Sequence, residues 1–421
     1  MSGAGAAVGN PTEMVCEVCG AGQPVAASQV CEECWGPLGF RYDLERVRAV
    51  WSPETLAARP ASLWRYGELL PLGAPPSVGL ATGMTPLVRA DRLGQALGIR
   101  ELWLKNEGVC HPSLSFKDRT VAVAVNKAKE LGLSTVACAS TGNLANATAA
   151  LAAAAGLRAV VLVPEDVEPA KIVATTVYGA KVVAIRGTYD EASRLCSEIA
   201  GRYGFGVVNV NLRPFFAEGS KTVGFEIAEQ LGWRLPAATV VPMAGGSLLA
   251  KIHQAYKELV AVGLVPQAES RLFGAQAAGC APIADMIIEG RDEVRPIREP
   301  RTIARSIAVG DPGDAVFARQ AILTSGGFAA TATDDQIVAG MRLLAETEGI
   351  FGETAAGVVL EAARRLVGEG RIGPESGPVV LCLTGQGLKT QDPLLPVLPK
   401  PSSIAPNLSA FAELWARELQ G

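Results

Sequence analysis

One lysine of this chain stands where its chemistry would be unusual. Lys117 lies in the segment 113–119, of sequence SLSFKDR, one or two residues inside a predicted helix start. The pattern Ser115-x-x-Asp118 resembles a capping box, and an apolar run follows it. A helix N-terminus and partial burial both disfavour an ammonium group, so a lysine held there loses basicity. A neutral lysine amine can form a Schiff base, although a lone lysine in a first turn is more often an ordinary surface residue.

A polar turn between a predicted strand and a predicted helix is a second feature that could take part in binding or catalysis. It contains Ser140, Thr141, Gly142 and Asn143. Backbone N–H groups at such a turn, together with the helix N-terminus, can bind a carboxylate or phosphate, and Asn143 adds a side-chain donor. Taken alone, the same turn is also typical of a simple helix cap.

Two further turns lie where other predicted strands end. The first is Ala244, Gly245, Gly246, Ser247 and Leu248, whose glycines would let the backbone approach an oxyanion. An ordinary tight turn between strand and helix is the alternative, and the pattern matches neither a dinucleotide-binding loop nor a P-loop.

The other turn begins with Thr384, whose neutral hydroxyl could exchange one hydrogen bond with a pyridine nitrogen without forcing its protonation. A lysine, a phosphate loop, an asparagine and a threonine are together what pyridoxal 5'-phosphate requires. The sequence therefore predicts a site for that cofactor.

Four of the nine cysteines form two closely spaced pairs. Cys16 and Cys19 make the first CxxC pair, and Cys31 and Cys34 make the second. Thiolates from two tight turns can close a tetrahedral site, so the spacing predicts a structural metal, with zinc favoured over iron. A degenerate knuckle without metal, or one redox-active pair, is the alternative.

Alternating strand and helix patterns connect these turns. Strands are predicted over 134–139, 158–164, 181–185, 206–210, 239–241, 271–276 and 378–383, and helices include 144–156, 189–203, 219–231 and 248–262. Repeated βα units imply an α/β fold with parallel sheets covered by helices on both faces. Ligands of such sheets bind where strand ends meet loops, which is where the lysine and the three turns are expected to meet.

Composition excludes several classes of function. The chain has 421 residues, a formal net charge of -4 and 49% hydrophobic residues. Nothing in this balance points to a nucleic-acid partner, and no apolar run is long enough to span a membrane. Only two histidines are present, His111 and His253, which argues against histidine-based triads. The N-terminus lacks the features of a signal peptide, so we expect a cytoplasmic protein.

The motifs together resemble the threonine synthases, which are pyridoxal-phosphate enzymes of the tryptophan-synthase-like class (fold type II). The resemblance covers about residues 83–390 in collinear order, and the cysteine-rich segment resembles the zinc-ribbon prefix of some bacterial and archaeal members. The matching stretches are SFKDR at 115–119, ASTGN at 139–143, EGSKT at 218–222, TIARSI at 302–307 with GDP at 310–312, EGIFGE at 348–353 and TGQGLK at 384–389.

This resemblance implies a role for each matched residue. Lys117 would be the Schiff-base lysine and a proton shuttle, Asn143 would hydrogen-bond the cofactor's 3-hydroxyl, and Thr384 would face the ring nitrogen. Residues 244–248 would hold the cofactor phosphate, while Ser140 and Thr141 would take the substrate carboxylate. The implied reaction converts O-phospho-L-homoserine and water to L-threonine and phosphate, and the family implies a homodimer.

The chain departs from the family pattern where the substrate phosphate is expected to bind. Many threonine synthases carry an arginine where this chain has Phe216, and Arg213 could substitute for it from a shifted loop. Two asparagines common in the cofactor loop are replaced by Gly245 and Leu248, and Ser113-Leu114 replaces a common Thr-Gly. A cysteate-synthase-like replacement enzyme, a serine/threonine dehydratase, or a non-catalytic amino-acid sensor therefore stays open as an alternative.

We expect four structural parts. They are a four-cysteine zinc ribbon over 12–36, a large cofactor-binding domain built from 37–125 and 211–400, a small α/β domain over 126–210, and a C-terminal tail helix within 401–421.

Overall fold

A computed structural model describes residues 11–28, 30–140, 142–165, 167, 169–187 and 189–419. The chain divides into a first compact unit up to Thr390 and a second from Gln391. In the second unit, the described residues contain one short helix followed by a single wider turn. None of the helices within the described ranges combines the length and apolar character that crossing a membrane requires.

The first unit contains three sheets. Its strands are β1 (Glu13–Cys16), β2 (Gly22–Gln23), β3 (Leu38–Arg41), β4 (Leu87–Arg89), β5 (Leu102–Asn106), β6 (Thr135–Ala139), β7 (Arg158–Pro164), β8 (Lys181–Ile185), β9 (Gly206–Val207), β10 (Ala238–Pro242), β11 (Arg271–Ala277), β12 (Ala329–Ala332) and β13 (Val379–Leu383). Strands β1 to β3 form a small antiparallel sheet in the order β2-β1-β3. A four-stranded sheet, β8-β7-β6-β9, is parallel throughout. The six-stranded sheet runs β12-β11-β10-β13-β5-β4 and is parallel except at its β4 edge.

Helices connect and cover the two larger sheets of the first unit. The helices of this unit are α1 (Leu44–Val50), α2 (Pro53–Ala57), α3 (Asp91–Leu97), α4 (Lys117–Glu130), α5 (Asn143–Ala155), α6 (Pro169–Thr176), α7 (Tyr189–Tyr203), α8 (Arg213–Gln230), α9 (Ser247–Ala261), α10 (Pro282–Ile288), α11 (Ala315–Thr324), α12 (Asp334–Glu348) and α13 (Thr354–Gly368). The helix of the second unit is α14 (Leu408–Leu414). The predicted α/β class with two parallel sheets is confirmed.

The central strands are short apolar runs because both of their faces are covered. Every residue of β6, β10 and β13 is buried, as expected for parallel strands with helices on each side. The β8 edge of the smaller sheet is only partly covered, and its residues are exposed or half-buried. The carboxyl ends of β6, β10 and β13 lead directly into the three turns that the sequence singled out.

A buried ion network fixes the helix that carries Lys117. Arg119 has no solvent exposure and donates to Glu107 (Nε to Oε2, 2.6 Å) and to both carboxylate oxygens of Glu226 on α8. Lys105 of β5 joins the same Glu226 carboxylate at 2.7 Å. The helices α4 and α8 approach so closely that a Cβ on Gly219 would lie 2.5 Å from the carbonyl oxygen of Arg119. Removing one partner of such a buried network costs roughly 3–5 kcal/mol, so α4 is held rigidly.

Candidate active site and metal cluster

Lys117 is the first residue of α4, as the sequence predicted, and it lines a cavity of about 340 Å³. Its Nζ lies 4.5 Å from the ring centroid of Phe116 and 5.2 Å from that of Phe216. Burial lowers the pKa of Lys117 to about 8, while the charges of Glu353 and Asp314 act in the opposite direction. A large fraction of the amine is therefore neutral in mildly alkaline solution, as nucleophilic attack requires.

Only one of the two hydrogen bonds of the predicted capping box forms at this helix start. The Ser115 hydroxyl is buried and has no hydrogen-bond partner within the described part of the chain. The contacts instead run to the carboxylate of Asp118, which accepts from the Ser113 backbone N–H (3.0 Å), the Ser113 hydroxyl (2.6 Å) and the Ser115 N–H (3.4 Å). These bonds fold the loop back on the first turn of α4 and so set the position of Lys117.

The lowered pKa of Lys117 makes the stability of the cofactor-free protein depend on pH. The unfolded chain binds this proton with a pKa near 10.5 and the folded chain with one of about 8. Burial of the charged amine therefore lowers the free energy of unfolding by its full amount below pH 8. The loss becomes smaller as pH rises and is absent above pH 10.5. We expect Lys117→Met to raise the free energy of unfolding of the cofactor-free protein at pH 7 by up to about 3 kcal/mol more than it does at pH 10.5. Urea unfolding of both proteins at the two pH values measures this difference, and an equal effect at both values would contradict it.

The turn after β6 brings two of its predicted residues to the cavity. Ser140 is buried, and its Oγ accepts from the N–H groups of Gly142 and Ala145, both at 3.0 Å. It thus caps α5, which is the simpler of the two roles considered from sequence. Gly142 has φ 151°, and a Cβ there would lie 2.6 Å from Cδ of Lys171. Thr141, the other residue predicted to take the substrate carboxylate, lies outside the described residues.

Asn143 begins α5 and lines the cavity. Its Nδ2 donates to Oε2 of Glu353 at 2.8 Å. Its Oδ1 is buried and finds no hydrogen-bond partner among the described residues. Because a buried amide oxygen without a partner is costly, this atom is suited to accept a hydrogen bond from a ligand in the cavity.

The loop after β10 is open toward the cavity. A Cβ added at Gly245 would meet no atom within 4 Å, whereas Gly246 has φ 99° and a Cβ there would lie 2.9 Å from the Asp314 carbonyl oxygen. The Asp314 N–H donates to the carbonyl oxygen of Gly245 at 3.0 Å. Ala244, Ser247 and Leu248 line the cavity beside these glycines. The loop therefore leaves backbone N–H groups accessible at the start of α9, a helix of 15 residues. Such a helix start is suited to bind an anionic group.

Thr384, at the end of β13, is buried and faces an acidic residue that the sequence interpretation had assigned no role. Its Oγ1 donates to Oε1 of Glu353 at 3.0 Å. Glu353 is only 2% exposed, lines the cavity and precedes α13. It belongs to a stretch that matched the family, but no local pattern distinguished it from a surface glutamate.

Arg213 occupies a helix start and not a shifted loop. It is the first residue of α8, which begins six residues before the predicted boundary. Its Nη2 forms an ion pair with Oδ1 of Asp314, and both side chains are partly exposed at the cavity. Phe216, one turn later, places its ring beside Lys117. The arginine that the sequence suggested for the substrate phosphate is thus already paired with a carboxylate.

The predicted residues that can be described converge on one cavity. Its lining includes Lys117, Ser140, Asn143, Arg213, Ala244, Gly245, Gly246, Ser247, Leu248 and Thr384. These residues come from five separate segments of the chain and are joined only by the fold. The cavity is within the usual size range of small-molecule sites, and its partnerless Asn143 oxygen and open Gly245 backbone fit a phosphorylated, hydroxyl-bearing ring such as pyridoxal phosphate.

The four paired cysteines form a separate cluster. The ligand atoms of Cys16, Cys19, Cys31 and Cys34 all lie within 4.8 Å of one another. Backbone N–H groups donate to sulfur, from Val18 and Cys19 to Cys16 Sγ (both 3.4 Å) and from Glu33 to Cys31 Sγ (3.3 Å). Four sulfur donors from two turns suit a tetrahedral metal ion with no open position, so the cluster can hold a structural metal.

Comparisons with known proteins agree with this geometry. Residues 78–385 match the family described as pyridoxal-phosphate dependent enzyme. Threonine synthase of Methanocaldococcus jannaschii is 36% identical over 91% of this chain and 94% of its own length. Threonine synthase of Methanosarcina acetivorans is 37% identical over 91% and 93% of the two chains.

Solved structures support the same fold. A processed threonine deaminase isoform 2 from Solanum lycopersicum superposes with a TM-score of 0.61 at 21% identity, covering 81% of this chain and 85% of its own. O-ureido-L-serine synthase gives a TM-score of 0.62 at 22% identity over 77% and 97% of the two chains. The chain therefore belongs to the pyridoxal-phosphate-dependent enzymes and, within them, to the family of the threonine synthases.

Proposed function

We propose that this protein is a threonine synthase, which converts O-phospho-L-homoserine and water to L-threonine and inorganic phosphate. The observation that carries the proposal is the convergence of Lys117, Asn143, the 244–248 loop and Thr384 on one cavity of a chain whose relatives bear that name. The reaction is a carbon–oxygen lyase step at the γ-carbon followed by addition of water at the β-carbon.

The cofactor would be pyridoxal phosphate, held by the residues that line the cavity. The 244–248 loop would bind its phosphate, while Asn143 and Thr384 would orient its ring. When bound, this cofactor supplies an electron sink for carbanionic chemistry next to the amino acid's α-carbon.

The remaining steps belong to the protein. Lys117 would accept and return protons through Nζ, since its lowered pKa brings it close to the operating pH. The rings of Phe116 and Phe216 beside Nζ would exclude bulk water from the amine.

Arg213 would bind the phosphate of the substrate by exchanging its Asp314 partner for that anion. We expect Arg213→Ala to raise KM for O-phosphohomoserine by about ten- to a hundredfold, the value of one hydrogen-bonded charge contact, with a smaller change in kcat. Asp314→Asn weakens the competing ion pair and should lower KM instead. Steady-state kinetics of the two variants measure these opposite shifts. If KM is unchanged in Arg213→Ala, another group binds the phosphate.

The proposal also covers the metal, the compartment, the oligomeric state and the domains. The cysteine cluster would hold zinc, and the protein would act as a cytoplasmic homodimer without nucleic-acid or membrane partners. The four-stranded sheet would form the core of the small domain predicted over 126–210, and the six-stranded sheet that of the large domain predicted over 37–125 and 211–400. The cysteine segment at 12–36 and the tail at 401–421 would be the two smaller parts.

Product analysis with purified protein tests the function directly. Incubation with O-phospho-L-homoserine should yield threonine and phosphate in equal amounts. If this substrate is inert while O-phosphoserine and sulfite give cysteate, or while serine or threonine gives a keto acid and ammonia, the proposed activity is wrong and the corresponding alternative replaces it.

A further inference from the structure

A second cavity follows helix α9, next to the cavity that holds Lys117. Its volume is about 800 Å³, compared with about 340 Å³ for the first. The ion pair between Arg213 and Asp314 belongs to a wall that the two cavities share, together with Ala217 and Ser247. Beyond this wall the second cavity, which we call the α9 groove, takes no part in the proposed reaction.

The walls of the α9 groove are partly apolar, and their charges are balanced. Leu38, Leu44 and Phe317 supply large apolar side chains. The pKa of His253, which also lines the groove, is lowered by burial and by the charge of Lys257, so this side chain adds no charge at neutral pH. The acidic side chains of the lining are Glu17, Glu258 and Asp314, and the basic ones are Arg213, Lys251 and Lys257. This balance suits a ligand with one charge of each sign better than a polyanion.

One buried carboxylate that lines the groove lacks a hydrogen-bond partner for one of its oxygens. Glu258 on α9 is 8% exposed, and its Oε1 accepts from Nε2 of Gln254 (2.8 Å) and from Nζ of Lys221 (3.2 Å). Its Oε2 is buried and has no partner among the residues that the structure describes. Burial raises the pKa of Glu258, as does the charge of Glu218, while Lys221 acts in the opposite direction. A cationic N–H donor in the groove would supply both the missing hydrogen bond and a positive charge.

A lysine beside this carboxylate is available to bind an anion. Lys257, the preceding residue of α9, is exposed, lines the groove and makes no hydrogen bond or ion pair within the described ranges. Lys251, the other lysine of α9, is already engaged, because its Nζ donates to Glu218 and to Gln254, both at 2.8 Å. The groove thus contains one unsatisfied acceptor and one unpaired cation on neighbouring residues.

We propose that the α9 groove is a second ligand site, which binds a free α-amino acid with an apolar side chain. The ammonium group of the ligand donates to Oε2 of Glu258, its carboxylate pairs with Lys257, and its side chain packs on the apolar part of the lining. Side chains of consecutive helix residues point about 100° apart, so Glu258 and Lys257 can hold the two charged ends of one small molecule. The site is separate from Lys117 and does not depend on the function proposed above.

Calorimetric titration of the cofactor-loaded protein tests the proposal. The probes are L-valine, L-leucine, L-isoleucine, L-methionine and L-phenylalanine, which carry the same two charges and differ in their apolar part. At least one of them should bind at one site per chain with a dissociation constant below about 1 mM, and this binding should leave the visible absorption band of the cofactor unchanged. N-acetylation of that amino acid removes its ammonium group and should abolish the binding.

Two variants test the charged contacts separately. Glu258→Gln removes the negative charge opposite the ammonium group, and Lys257→Ala removes the cation opposite the carboxylate. Each should weaken binding by about tenfold or more. Glu361→Gln and Lys129→Ala are the matched controls, since Glu361 is 5% exposed, Lys129 is exposed and neither lines the groove. Both controls should bind the amino acid as wild type does.

The proposal is overturned if none of the five amino acids binds, or if the affinity in Glu258→Gln and in Lys257→Ala equals that of wild type. Binding that occurs only with a shift of the cofactor band would assign the amino acid to the site of Lys117 and overturn it as well. If Glu258→Gln fails to fold, Lys257→Ala and the N-acetylated probe decide. A protein that binds no cofactor would contradict the proposed function, whereas the affinities of the groove variants would still decide on this inference.

Discussion

Replacing Lys117 with alanine is expected to abolish both the covalent attachment of the cofactor and threonine formation. Lys117 is the only lysine in the described lining of the cavity, and burial gives its amine a pKa of about 8. Loss of a positioned proton-transfer group alone slows a reaction by about 10²- to 10⁴-fold, and loss of the covalent link adds to this. The visible absorption band of the purified protein and the rate of phosphate release measure the two effects.

A second lysine in the same helix separates this role from a general loss of structure. Lys127 of α4 is also buried, lies over the Phe215 ring and pairs with Glu130. Lys127→Ala should therefore lower stability, while the absorption band and the phosphate release that depend on Lys117 persist. Lys117→Arg keeps a cation in the cavity but cannot form the Schiff base, so it should behave like the alanine variant. A band that survives in Lys117→Ala would assign the covalent link to another amine.

Local patterns predicted those cavity-lining residues that follow buried strands. Asn143, the 244–248 loop and Thr384 each stand where an apolar run gives way to glycine or a polar turn, and that signal is contained in a few neighbouring residues. Lys117 stands instead where a polar loop gives way to an apolar helix. Parallel-sheet topology brings the turns after β10 and β13 to one edge of the six-stranded sheet. The turn after β6 belongs to the four-stranded sheet, so its place at the same cavity depends on long-range packing that local patterns do not reveal.

Glu353 and Asp314 could not be found in this way. Glu353 is 210 residues from Asn143, and Asp314 is 101 from Arg213, so only the folded chain shows that they touch. The start of α8 was placed six residues too late for a different reason. Pro214 lies in the first turn of this helix, where proline is tolerated because its missing N–H has no partner to lose.

Removal of the metal is expected to unfold the cysteine segment while leaving most of the activity. Among the described residues, the buried core of this segment consists of Met14, Cys16, Cys31 and Leu38. So small a core cannot stay folded without a cross-link or metal, and structural zinc contributes roughly 10–16 kcal/mol in isolated zinc-finger peptides. We therefore expect one metal ion per chain in the wild-type protein. Cys31→Ser, or a chelator, should remove this ion and open the segment at 12–36 to proteolysis.

The effect on catalysis should be small because no described residue of the cysteine segment lines the cavity around Lys117. The segment reaches the helices of the site through the pairing of β1 with β3, whose Phe40 packs on Phe215 of α8, and through a weak ion pair. Glu17, between Cys16 and Cys19, lies 3.7 Å from Nζ of Lys251, which remains bonded to Glu218 of α8 at 2.8 Å without it. We therefore expect less than about a tenfold loss of kcat, the equivalent of about 1.4 kcal/mol. Cys196→Ser removes a buried thiol outside the cluster and should leave metal content unchanged. Full metal content in Cys31→Ser would exclude this cysteine as a ligand, and a large loss of kcat would mean that the segment positions α8 more strongly than the Glu17 contact indicates.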